Sequence, residues 1–224
     1  QLGGTLSASS AGVVGANGQL PNFDLMPEKG VGSDFGLELR PLDSISIGIR
    51  GFFNQVNEAI VENVVNTTPS QSKSMNVGKA RSFGGELNIE HRLAEYLRWF
   101  ANCTYTATNV EDRLDNDQNS SRIPFVPEFV ANGGITARLP LNIYLSPYLH
   151  WVGTYYDSSS KSSRREFGPY PLLNMRAQKT LVSNDTLAIH AAIDLNNLLD
   201  KHYEMPWQFR DPGFNAFGSL ELTF

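Results

Sequence analysis

The sequence holds a single cysteine, Cys103, in 224 residues, which excludes a disulfide framework within the chain and any all-cysteine metal site. Charge is also scarce. Asp, Glu, Lys and Arg make up 18% of the chain, against roughly 25% in soluble domains, and the net charge is −5. Lysine and arginine do not gather into a stripe, so no nucleic-acid partner is expected. Long apolar runs are missing, and nothing approaches the roughly 20 residues that a membrane-spanning helix needs. The opening Gln1-Leu2-Gly3-Gly4 has neither the basic segment nor the apolar run of a signal peptide, so a leader has been removed or the chain starts mid-protein.

What the sequence does have is alternation. Phe214, Ala216, Gly218, Leu220, Leu222 and Phe224 share one parity, opposed to Asn215, Phe217, Ser219, Glu221 and Thr223. Leu187, Ile189, Ala191, Ile193 and Leu195 alternate in the same way with Ala188, His190, Ala192, Asp194 and Asn196. Phe83, Gly85, Leu87 and Ile89 repeat the pattern, as do Trp99, Ala101, Cys103 and Tyr105. Period two with an apolar face reads as β-strand, but a soluble sandwich alternates too, so parity alone does not say which face is wet.

Loop lengths supply the orientation. Strands are expected near 33–40, 44–55, 79–92, 97–109, 127–139, 142–156, 171–182, 186–197 and 213–224. Short turns at Pro41-Leu42-Asp43, Ala94-Glu95, Pro140-Leu141 and Ser183-Asn184-Asp185 alternate with long polar loops at 56–78, 110–126, 157–170 and 198–212. This asymmetry is the signature of an antiparallel transmembrane β-barrel of the bacterial outer membrane, with the periplasm on the short side. Aromatics near strand ends, namely Tyr96, Trp99, Tyr148, Trp151, Tyr155, Tyr156, Tyr170 and Phe224, fit an interfacial girdle. Nine strands is an odd number, whereas bacterial barrels normally close with an even one. The chain is therefore expected to be the carboxy-terminal portion of a larger barrel, with residues 1–32 the remnant of an extracellular loop and 33–224 the strands.

Several segments then resemble a known family. Pro27-Glu28-Lys29 leads into the strand start Asp34-Phe35-Gly36-Leu37-Glu38-Leu39, and Asn76-Val77-Gly78-Lys79-Ala80 precedes Gly84-Gly85-Glu86. Ile123-Pro124-Phe125-Val126-Pro127 enters a strand, and Asn196-Asn197-Leu198-Leu199-Asp200-Lys201-His202-Tyr203 follows one. Their order and spacing, with the terminal Phe224, resemble the carboxy-terminal barrel of TonB-dependent outer-membrane receptors over about 25–224. The resemblance implies a receptor barrel for energy-coupled uptake of a scarce nutrient, most often a ferric siderophore. It also implies a plug domain upstream, which the sequence does not contain, contact with the TonB system through that plug, and surroundings of outer-membrane lipid and lipopolysaccharide. A passive pore or structural barrel is the alternative.

Candidate binding residues lie in the long loops. Lys161, Arg164 and Arg165 could attract an anionic ferric chelate or a lipopolysaccharide phosphate, and His202, Trp207 and Arg210 sit in the last long loop. Asp115-x-Asp117-x-Asn119, beside Glu111 and Asp112, alternates oxygen ligands but lacks the Gly and distal Glu of a full calcium loop, so it reads as a solvated acidic loop. His91, His150, His190 and His202 have no ligand spacing, and no metal or cofactor is expected. Gly-x-Ser-x-Gly, His-Glu-x-x-His and phosphate-binding glycine loops are absent, so no enzyme is expected.

Overall fold

The structure is a computed structural model that describes residues 18–68, 70–112, 114–184, 186–206 and 209–224. Nine long strands form one antiparallel meander. They are β2 (Lys29–Leu42), β3 (Ile45–Thr67), β4 (Ser70–Ala94), β5 (Leu97–Asp112), β6 (Phe129–Leu139), β7 (Ile143–Val152), β10 (Tyr170–Ser183), β11 (Ala188–Asn196) and β12 (Asn215–Thr223). Three short pieces complete it: β1 (Gly18–Leu20), and the pair β8 (Tyr155–Tyr156) and β9 (Glu166–Phe167). Each long strand pairs with its neighbour in sequence among the long strands, and the outer edges of β2 and β12 have no strand partner among the described residues. The sheet is a section of barrel wall that this chain does not close by itself.

Register carries the sequence parity across the whole sheet. Leu37, Ile49, Leu87, Cys103, Ala131 and Trp151 stand in one row, and Leu39, Ile47, Ile89, Ala101, Gly133 and Leu149 in the next. The apolar side chains of this face point at no core. Phe35 is 75% exposed and Leu220 62%, while only Val152, Tyr155, Phe167 and Ala192 are buried apolar residues among those described. A soluble sandwich would pack such faces together. A sheet with an exposed apolar face and a polar face behind it is built for lipid on one side and water on the other.

The opposite parity carries the polar groups, and they pair laterally. Arg50 reaches Asp34 at 2.5 Å and Glu86 at 3.7 Å. Arg176 takes both oxygens of Asp194, at 2.9 and 2.7 Å. His150 bonds Asn132, which bonds Asn102, and His190 contacts Thr180. The two histidines thus serve as wall residues. Aromatic rings on this face lie over glycines: a Cβ on Gly84 would overlap the Tyr105 carbonyl and lie 2.7 Å from the Phe52 ring, and one on Gly134 would meet Phe100 at 2.8 Å and Tyr148 at 2.7 Å. Gly84 therefore marks a close backbone approach, as its place in a strand suggests.

The four short connections expected from the sequence lie at one end of the meander. Asn184 builds one of them, its Oδ1 accepting from the Thr186 and Leu187 amides. At Pro140–Asn142 a single 3-10 turn carries Leu141 and Asn142 at positive φ. At the other end two expectations need correction. The segment 56–78 is not a loop, because β3 and β4 stay paired to Thr67 and Ser70. Its valines and Ile60 favour strand, and the interspersed Asn and Ser conceal the period. At about 3.3 Å per residue β3 is about 75 Å long, more than twice the roughly 30 Å of hydrocarbon, so this ribbon rises well past the membrane. Tyr155 and Tyr156 do not continue β7 into a girdle either: the strand stops at Val152, the Gly153 amide bonds the Phe129 carbonyl at 2.7 Å, and the chain turns aside into the β8–β9 pair. Tyr148 also leaves the girdle, since its parity is that of the polar face.

The segment before β2 lies along the ribbon. β1 pairs in parallel with Gln71–Lys73, the Asn76 side chain exchanges two hydrogen bonds with the Met26 backbone at 2.8 and 2.9 Å, and Glu28 accepts from the Ile60 amide. Two motifs far apart in sequence thus meet.

Introducing Gly84→Val should cost about 1–3 kcal/mol through overpacking and sharply reduce the amount of folded barrel, whereas Gly218→Ala, with nothing within 4 Å, should assemble normally. Leu87→Arg on the lipid face should cost about 2–4 kcal/mol if it lies near mid-bilayer, and Asn88→Arg on the polar face far less. Urea unfolding in lipid vesicles reads both differences. Equal costs at 87 and 88 would contradict the assignment of faces.

Candidate ligand-binding site

Three long loops, 113–128, 153–169 and 197–214, leave the end of the sheet opposite the short turns. Ties between them run through named side chains. Asp117 accepts from the hydroxyls of Ser160 and Ser162 and from the Ser162 amide, while Ser159 donates to Gln118 at 2.6 Å and the Lys161 amide to the Asp117 carbonyl. The hydrogen bond from Ser160, with those from Ser162 behind it, holds the Asp117 carboxyl below its ordinary value. This clasp joins the first loop to the second. The second meets the third where Arg165 pairs with Glu204 at 2.6 Å and the ring of Tyr170, at the loop's end, stacks on Tyr203 with centroids 4.3 Å apart. Burial raises the Tyr203 phenol, and the Asp211 carboxylate adds to the effect.

Beneath the loops lies a small apolar floor. Val152, Tyr155 and Phe167 are buried together, Tyr155 stacks on Phe167 at 5.5 Å, and Tyr170 packs against them. The third loop is anchored by Asn197, which is buried at a positive φ. Its amide bonds Asn174, and its side chain both donates to the Lys201 carbonyl and accepts from the Lys201 amide. Asp200 accepts from the Phe214 amide and Asn196 bonds Asn215. The Asn-Asn-x-x-Asp run therefore satisfies backbone groups where the chain leaves the sheet, as short polar side chains do.

The sequence candidates fall into this frame unequally. Arg164 lies 4.0 Å from the Tyr156 ring centroid, and Arg122, itself paired with Glu128, lies 5.7 Å from the same ring. Arg165 is engaged by Glu204 and also passes over Phe167. Lys161 contributes its backbone to the clasp and keeps its side chain exposed. His202 has a side chain 81% exposed, 3.5 Å from Asp211, and the backbone of Arg210 bridges to Glu204. Arg165 and Arg210 thus come together around Glu204. Trp207 lies outside the described residues. Arg122, Tyr156 and the serines at 158–160 and 162–163 were not singled out as binding or tying residues, and Asp117 was read as part of a solvated acidic loop rather than as a tie. The serine run and the Asp-x-Asp spacing are the sequence signals that could have found the tie.

On the polar face at the short-turn end is a recess of about 900 Å³, lined in part by Glu38, Arg40, Glu90, Arg92 and Arg98. Arg92 and Arg98 are direct cross-strand neighbours there. Among the described residues no group of three or more His, Cys, Asp or Glu is placed to hold a metal.

The sequence matches the family model described as TonB dependent receptor-like, β-barrel, over residues 2–198. No curated protein matches it. Among solved structures, the FrpB iron transporter from Neisseria meningitidis superposes with a TM-score of 0.68 at 13% identity, covering 92% of this chain and 33% of that one. The ferric yersiniabactin uptake receptor FyuA from Yersinia pestis gives 0.60 at 18% identity, with coverages of 87% and 29%. The copper transporter OprC gives 0.65 at 18% identity, with 88% and 31%. At such identities the likeness is one of fold, and the chain spans about a third or less of the structures it matches. Strand order, the lipid face and the family match agree, and the chain belongs to the TonB-dependent receptor-like β-barrel family of the bacterial outer membrane.

Proposed function

We propose that this chain forms part of the barrel wall and ligand-capturing loops of a receptor that takes up a ferric siderophore across the outer membrane, with energy relayed from TonB through a plug domain. The observation that carries the reading is the family match over 2–198 joined to three long loops tied into one unit above the polar face. Residues 18–28 lie against the ribbon on the loop side, in keeping with 1–32 as part of an extracellular loop. Fold likeness extends equally to an iron transporter and a copper transporter, so the cargo is argued from the loops. Lys161 and the Tyr156-stacked Arg164 present cationic groups with no carboxylate within ion-pairing distance among the described residues, and these suit an anionic ferric chelate. The same groups would meet lipopolysaccharide phosphate at the membrane surface.

Deleting the parent gene should abolish growth on one ferric chelate in a panel of iron and cobalamin sources. Unchanged uptake of every compound would count against the receptor reading. In the intact receptor, Arg164→Ala should weaken binding of that chelate about tenfold, the loss of one charge-assisted contact. Arg210→Ala, whose contact here is through its backbone, should change it less.

The clasp titrates with a definite sign. Because the folded-state value of Asp117 is lowered, its contribution is fully present above its ordinary value of 3.8 and fades as pH falls through the lower folded value. Loop-specific proteolysis of the receptor should therefore accelerate below about pH 4. Asp117→Asn should give the faster, pH-independent rate at neutral pH.

A further inference from the structure

We infer that the lipid-facing side of β2–β4, at its long-loop end, binds the phosphate of a phosphorylated lipid in the outer leaflet, with Lys29, Lys79 and Arg81 as the cationic contacts. Strand parity separates these three from the other cations of the sheet. Arg50, Arg92, Arg98, Arg138 and Arg176 stand on the polar parity, whereas Lys29, Lys79 and Arg81 share the apolar parity of Ile49, Phe53 and Leu87. Lys29, Asn57, Lys79 and Glu111 are neighbours in one cross-strand row, and Val31, Gln55, Arg81 and Asn109 form the row beneath it. The next row down is Ser33, Phe53, Phe83 and Ala107, and both phenylalanines are exposed.

Depth places the polar rows at the edge of the hydrocarbon. At about 3.3 Å per residue and a tilt of about 40°, β4 from Phe83 to Ala94 spans about 28 Å of depth, close to the roughly 25 Å height of an apolar band. Arg81 and Lys79 therefore emerge where acyl chains give way to headgroups, on the wall that faces lipid.

The local chemistry suits an anion. Glu111 is the one carboxylate in the two polar rows, and Arg81 takes it at 2.8 Å. The Arg81 Nε also donates to Gln55 at 2.9 Å, and Gln55 donates to Asn57 at 2.9 Å, so the guanidinium is held in place. Lys29 and Lys79 flank Asn57 in the row and have no carboxylate within ion-pairing distance among the described residues. The two rows thus carry more positive than negative charge. Beside them opens a recess of about 610 Å³, lined in part by Arg81, Phe83, Asn109, Glu111, Asn119 and Ser120. Phe83 makes its wall apolar on the membrane side, and the other groups offer hydrogen bonds above. A soluble anion would use only the upper part. A phosphate carried on acyl chains uses both, with lysine and arginine as its usual partners. The inference rests on the two faces of the sheet and holds whatever the cargo.

The test uses the whole receptor in detergent micelles, with lipid A as the probe and dephosphorylated lipid A as the comparison. The wild type should bind lipid A about a hundredfold tighter than the dephosphorylated form, about tenfold for each unpaired lysine. The double variant Lys29→Ala/Lys79→Ala should lose that preference, and Lys179→Ala, on the same parity at the short-turn end, should keep it. High salt should narrow the wild-type difference. A wild type that binds the two forms alike, or a double variant with the wild-type preference, overturns the proposal. Inorganic phosphate that displaces lipid A at equal concentration would make the patch a soluble-anion site and overturns it too. Should the double variant fail to fold, the single variants Lys29→Ala and Lys79→Ala decide: each should reduce the preference about tenfold, and no change in either refutes the site.

Discussion

Backbone hydrogen bonding in hydrocarbon governs everything else in this chain. Lipid offers no partner for an amide or a carbonyl, so a strand that crosses must be paired on both edges. The meander meets that demand by joining each long strand to its neighbour, and it leaves the demand open at β2 and β12, where the sheet must continue into other strands of the barrel. Side chains are then free to differ by face. The apolar parity is exposed without penalty in lipid, and the polar parity can carry Arg50, Arg176, His150 and His190 because water and lateral partners lie behind the wall. The small buried cluster under the loops follows from the same demand, since a barrel wall places its side chains on two open faces.

Above the membrane the rule relaxes, and side chains take over the work that pairing does below. Where the chain leaves the sheet, Asn197 and Asp200 hold its backbone. Asp117 and its serines bind two loops, and Arg165 with Glu204 extends the link to a third. Each exposed ion pair contributes little alone, about 0–1 kcal/mol. Their effect is to couple three segments so that movement of one is felt by the others.

Parity was legible in the sequence because period two is local: the rows through Leu87 and Leu220 need no knowledge of the partner strand. Short turns were legible for a similar reason, since Pro140 and Asn184 act within a few residues. The ribbon beyond residue 56 escaped because its faces are not divided into apolar and polar, lying as it does in water on both sides. Tyr155 and Tyr156 were misread because the end of the strand at Val152 depends on the approach of Phe129, from another strand, to the Gly153 amide. The ties at Asp117 and Glu204 join residues roughly forty apart, so spacing along the chain could not pair them.

The neighbour-to-neighbour order of the strands also shapes how the molecule folds. Every pairing between long strands is a hairpin whose loop must close over at most a few tens of residues, and loop entropy grows only slowly with length. Strands can be added one at a time, each templated by the one before. The exception is the seam, where an end of the meander must find a strand distant in sequence. Contacts of that kind are the slow ones in folding. In a meander of this design the slow search is confined to the step in which the bare outer edges of β2 and β12 gain their partners.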